Sequence, residues 1–115
     1  MSGDEPPLEE LDGPVAAPSH HRVVFEDAHV RVIETIIRAG DTAPVHTHLV
    51  PHLLIFRSGS QFVRRDPSGA VLLDTRQHGP DFTIPLYSWN DGLPAHSLEN
   101  IGPDDIVTTS IERKP

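Results

Sequence analysis

The sequence predicts an all-β domain, a double-sheet jelly roll or small barrel, and three observations point there. From Arg22 onward, apolar residues recur in short alternating groups rich in Val, Ile and Thr, broken every few residues by Gly, Pro, Asp or Asn. This is the period-two rhythm of half-buried strands. No stretch of ten or more residues carries helical spacing, and twelve prolines would interrupt most helices. Eight or nine short strands within 115 residues fit best into two packed sheets, which cover edges that one open sheet would expose.

Taken in order, the chain opens with a segment, residues 1–19, that holds five acids, four prolines and no Lys or Arg. Such a composition buries too little apolar area to offset its ordering entropy, and it reads as a mobile tail. A single domain over residues 20–115 follows, a normal size for one hydrophobic core. Alternation places strands at 21–25, 29–37, 44–48, 52–56, 61–65, 71–75, 83–87, 96–100 and 105–112. Between the fifth and sixth, Asp66-Pro67-Ser68-Gly69 is a turn sequence, with proline presetting φ and glycine accepting positive φ, so a hairpin is expected.

Charge and composition exclude several functions. The tail carries most of the formal charge of −8, leaving −3 for the domain, the wrong sign for a nucleic-acid surface. No cysteine is present, so disulfides and thiolate chemistry are absent. The amino terminus lacks a signal-peptide pattern, and no apolar run approaches the ~20 residues of a membrane span. These features predict a soluble cytoplasmic protein with no membrane or nucleic-acid partner.

The chain has eight histidines. His46 and His48 lie two apart on an expected strand, so both imidazoles leave one face and reach a common point. His52 heads the next strand, sharing a face with Leu54 and Phe56. His20, His21, His29 and His78 fall where no such geometry is expected. Taken alone, the His46–His48 pair is also compatible with two hydrogen-bonded core histidines.

The run from Gly40 to Gly59 resembles the first motif of the cupin superfamily: glycine, five residues, His-x-His, three or four residues, glutamate, six residues, glycine. Every spacing is met, and His52 stands where the glutamate is usual. His96 and Asn100, in HSLEN, resemble the end of the second motif. Upstream, Pro85, Asp91 and Leu93 replace its two glycines and proline, with Gly92 and Pro94 adjacent. The resemblance implies a cupin-type double-stranded β-helix that holds one divalent transition metal ion on His46, His48, His52 and His96. Glu99 is expected on the face opposite His96.

Four imidazoles leave a divalent ion its full charge, and all-nitrogen ligation suits Fe, Ni, Cu, Zn or Mn better than Mg or Ca. A six-coordinate ion would keep two positions for a bidentate substrate, or for substrate and dioxygen. The expectation is a metal-dependent enzyme acting on a small anionic or enolisable molecule, with oxidative cleavage favoured and lyase or isomerase chemistry also allowed by the resemblance. A non-catalytic module that binds or senses a small ligand is the alternative. Tyr87 and Trp89 are placed at a pocket mouth or in the core, and Phe56 and Phe62 in apolar walls or the core. Arg38, Arg57, Arg64 and Arg65 could pair with a substrate carboxylate, but a surface position is the commoner fate of arginine, and they are left out of the site. The resemblance also implies a homodimer joined through sheet edges.

Overall fold

Alternation along each strand decides which side chains meet in the middle. The computed structural model describes residues 8–79 and 83–115. Its strands are β1 (His21–Glu26), β2 (Val30–Ile37), β3 (Thr42–His48), β4 (His52–Ser58), β5 (Phe62–Arg65), β6 (Val71–Asp74), β7 (Tyr87–Asn90), β8 (Leu93–Asn100) and β9 (Ile106–Arg113). All pair antiparallel, in a five-stranded sheet of order β1-β2-β9-β4-β7 and a four-stranded sheet of order β3-β8-β5-β6. The all-β expectation holds. Among the described residues, helix is confined to α1 (Gly13–Ala16) and two 3-10 turns, Leu8–Leu11 and Thr75–His78, and no helix is long and apolar enough to cross a membrane.

The two sheets enclose a small apolar cluster of Ile37, Ala43, Phe62 and Ile106, against which Phe56, Leu73, Ile84 and Leu98 pack. β2 contributes alternate residues to the interior, Ile33, Thr35 and Ile37, and β9 contributes Ile106, Thr108, Ser110 and Glu112. Asn100, at the end of β8, is fully buried and has every polar atom in use. Its amide donates to the Ile37 and Asp104 carbonyls at 2.9 and 2.8 Å and accepts from the Gly102 N–H at 3.1 Å. This ties β2 to the turn that leads into β9.

The expected hairpin closes β5 onto β6. Asp66 accepts the Ser68 and Ala70 N–H groups at 2.9 and 3.0 Å, and Gly69 takes φ +92°, a conformation that glycine reaches without steric cost. The expected strand at 83–87 is displaced. Residues 83–86 are irregular, the strand occupies Tyr87–Asn90, and β8 starts three residues earlier than expected, at Leu93. Pro85 has no N–H to give a ladder, and the Phe56 N–H bonds the Leu86 carbonyl instead, at 2.9 Å.

The largest departure lies at the amino-terminal end. Residues 1–7 of the expected mobile tail lie outside the described residues, but residues 8–19 do not behave as a tail. Asp12 forms a parallel bridge with Thr47 on β3. Its carboxylate takes both terminal nitrogens of Arg31 at 2.8 Å, while Arg31 Nε donates to the buried Glu112 at 2.6 Å. Ala17 is buried. A Cβ on Gly13 would lie 3.0 Å from His21 and 3.1 Å from His48, so this segment rests directly on two histidines. The composition argument treated Asp12 as a solvated charge, whereas it is half of a bidentate ion pair, the strong form of that interaction.

The outer face of the five-stranded sheet is unusual. Register places Phe25, Val32, Ile111, Leu53 and Trp89 side by side across all five strands, where a solvated sheet face normally alternates to polar residues.

Replacing Asp12 by Ala leaves Arg31 half-paired in a partly buried position. Urea unfolding of Asp12→Ala is expected to show a loss of about 1–3 kcal/mol, with faster proteolysis within residues 8–17. An unchanged midpoint and cleavage rate would show that the segment does not depend on this pair.

Candidate metal centre

Three short stretches of chain deliver their histidines by the same local device. His46, His52 and His96 each place Nδ1 on the carbonyl two residues back, that of Pro44 at 2.6 Å, Val50 at 2.8 Å and Pro94 at 2.7 Å. A carbonyl only accepts, so Nδ1 carries the hydrogen and Nε2 keeps its lone pair. Proline sits at or beside each of these carbonyls, as Pro44, Pro51 and Pro94. Having no N–H, it weakens the ladder there. The β3–β8 register is irregular on both sides of the directly opposed pair His46 and His96, as expected where proline interrupts both strands.

The rings converge on one cavity of about 50 Å³, whose wall includes His21, His46, His48, His52 and His96. The ligand atoms of His21, His46 and His48 all lie within 4.8 Å of one another. Ring centroids are 4.4 Å apart for His21 and His46, 4.9 Å for His46 and His48, and 5.2 Å for His21 and His48. His96 follows at 4.5 Å from His46, and His52 reaches only His48, at 5.9 Å. His21, set aside on sequence grounds, thus belongs to the most compact group. Its Nδ1 donates to the Ala17 carbonyl at 3.1 Å, so the docked amino-terminal segment orients it. No sequence signal marks His21 once that segment is read as disordered.

The other expected placements divide. Phe56 lines the cavity, Phe62 lies in the apolar cluster, and Glu99 faces away from His96 to pair with Arg65 at 2.9 Å. Tyr87 and Trp89 are neither core nor cavity wall. They are 62% and 51% exposed on edge strand β7, where Trp89 donates to Asp91 and stacks under Arg113. Arg38 and Arg65 are surface ion pairs, and Arg57 donates to Thr109. Arg64, left out of the site on sequence grounds, lines the histidine cavity.

These donors suit a transition metal. The Nε2 atoms of His21 and His52 and the Nδ1 of His48 are buried without a hydrogen-bond partner, which is costly unless something accepts the lone pair. Burial first, and then the neighbouring imidazoles, lower the His48 pKa to about 2. Burial chiefly lowers His21 and His96 to about 4, with His46 also lowered. All four are therefore neutral at pH 7, the form in which imidazole binds a metal.

Solved structures with the same architecture settle what the barrel is. A cupin domain from Bordetella pertussis Tohama I superposes with a TM-score of 0.64 at 18% identity, over 83% of this chain and 92% of that one. The fold is that of a cupin. An RmlC-like cupin family protein with a double-stranded β-helix fold, from Methanocaldococcus jannaschii, matches this cupin barrel with TM-score 0.54 and 12% identity over 81% and 77% of the two chains. A protein with a double-stranded β-helix domain from Klebsiella pneumoniae gives 0.53 and 16% over 97% and 90%. No family model and no curated protein matches the sequence.

The lowered pKa values fix how the metal-free barrel responds to acid. In the unfolded chain these histidines take up protons near 6.5, but in the folded chain His21 and His96 do so only near 4. Unfolding therefore takes up protons between those values, and stability is lost as pH falls from 6.5 towards 4. At about 1.4 kcal/mol per tenfold change in proton affinity, one such histidine accounts for about 3 kcal/mol. Urea melts of metal-free protein at pH 7, 5.5 and 4.5 should show this decline, and a flat profile would mean the rings are solvated.

Proposed function

We propose that this cupin is a metal-dependent enzyme acting on a small anionic or enolisable organic molecule, with oxidative cleavage by dioxygen as the favoured reaction. The observation that carries this reading is the convergence of His21, His46 and His48 on one point, with buried ring nitrogens left unpartnered. His96 would complete a four-nitrogen set from its place opposite His46. His52, expected as a ligand from the motif, touches only His48 and is assigned the outer position. A divalent transition ion held by neutral imidazoles would keep its full double charge for polarising a substrate oxygen or acidifying a bound water. The protein would supply the rest: fixed tautomers at His46, His52 and His96, and an apolar wall of Ile37, Leu54, Phe56, Leu98 and Ile106 that limits bulk water.

Elemental analysis of untagged protein tests the site before any substrate is known. About one Fe, Ni, Cu, Zn or Mn per chain is expected, with occupancy reduced at least tenfold in His46→Ala and His48→Ala and clearly reduced in His21→Ala. A smaller loss is expected in His52→Ala. A protein that stays metal-free after reconstitution, yet binds small molecules, would favour the sensing or binding alternative.

A homodimer is proposed alongside, because the apolar row across the five-stranded sheet ends on edge strand β1, where Phe25 is 53% exposed. Sedimentation at micromolar concentration should give twice the chain mass of 12.7 kDa, and Phe25→Lys should shift it to monomer. A wild-type protein sedimenting only as monomer would remove this proposal.

A further inference from the structure

The histidine cavity has one lining residue whose charge nothing answers. Five arginines, at 22, 31, 38, 65 and 76, sit within 4.0 Å of a carboxylate. Arg64 has no such partner among the described residues. Its Nε is buried without a hydrogen bond, and its guanidinium lies over the Phe62 ring at 5.8 Å. It stands opposite Leu98 on β8, a cavity residue two positions from His96. Desolvation lowers its pKa, the expected response of a partly buried cation lacking an anion, and its field in turn lowers His46 and His96. An arginine nevertheless stays charged in proteins.

No Asp or Glu lines this cavity. A buried charge is tolerated when it is paired and hydrogen-bonded, and the guanidinium fork matches a carboxylate in two-point geometry. The cavity, at about 50 Å³, has room for roughly four water molecules, so the partner must be small. We infer that Arg64 anchors the carboxylate of a small organic acid bound in the histidine cavity. A 2-oxo or 2-hydroxy acid fits best, since its second oxygen can face the histidines while its carboxylate faces Arg64; this detail rests on the metal-centre reading. The anion would also balance the positive charge that Arg64 and a divalent ion place together.

Pyruvate is a suitable probe, titrated calorimetrically into metal-stripped and zinc-loaded protein, with Arg64→Met and Arg64→Gln beside the wild type. Both wild-type forms should bind, and either variant should weaken binding about 10- to 100-fold, the range for a charge-assisted pair. Without pyruvate, Arg64→Met should melt no lower than the wild type, because it removes an unpaired, partly buried charge, whereas loss of a merely structural residue would lower the melting temperature. Equal affinity in both variants, no binding to the wild type, or equally tight binding of inorganic phosphate would overturn the inference. Zinc loading without pyruvate binding would sink the anchor and leave the metal centre standing. Arg64-dependent binding by a protein that never takes up zinc would do the reverse.

Discussion

Packing the imidazoles of His21, His46, His48 and His96 against one another inside a barrel is tolerable only while they are uncharged, and much of this structure follows from that constraint. The rings lie 4.4–6.0 Å apart by centroid, so each protonation would be opposed by its neighbours as well as by burial. The barrel satisfies the constraint by burial. Carbonyls of Pro44, Pro94 and Ala17 take the Nδ1 hydrogens of His46, His96 and His21, bonds that by themselves favour the protonated ring, and desolvation outweighs them. The buried Glu112, opposite His52 in the ladder, accepts from Arg31 through Oε1. A ligand set of this kind is ready for a metal at neutral pH without releasing protons.

The amino-terminal segment is part of the same solution. It supplies the carbonyl that orients His21, it places Gly13 against two of the rings, and it is fastened by Asp12 to Arg31. Arg31 in turn holds Glu112 at the end of β9, directly across the ladder from His52. One bidentate ion pair thereby links the chain's opening turns to the wall of the site.

Strand positions were legible because alternation is strong wherever one face is buried, as in Val30–Ile37 and His52–Phe56. The His46, His48 and His52 spacing was legible for the same reason: ligands close in sequence on paired strands need only local geometry. Three other features were not. Pro85 displaced β7 by removing a ladder donor. His21 depends on Ala17, in a stretch whose acids and prolines read as solvated until the distant Arg31 is known. Arg64 looks like any other strand arginine in sequence, since only the folded packing reveals which cation lacks a carboxylate. The His21 and Arg64 misses turn on packing between segments distant in the chain.

Three of the five clustered histidines come from one seven-residue stretch, His46 to His52, while His21 and His96 arrive on β1 and β8, strands of different sheets. A chain that has not folded therefore still holds a short, flexible three-imidazole chelator. Transition ions should bind that chelator weakly before the barrel exists, which reduces the stabilisation that metal confers on the folded form. A proposed ion held there would pin the β3–β4 turn before the long-range strands β2, β8 and β9 close around it. On the proposed reading, metal availability would bear on how the chain finds its fold as well as on what the finished barrel does.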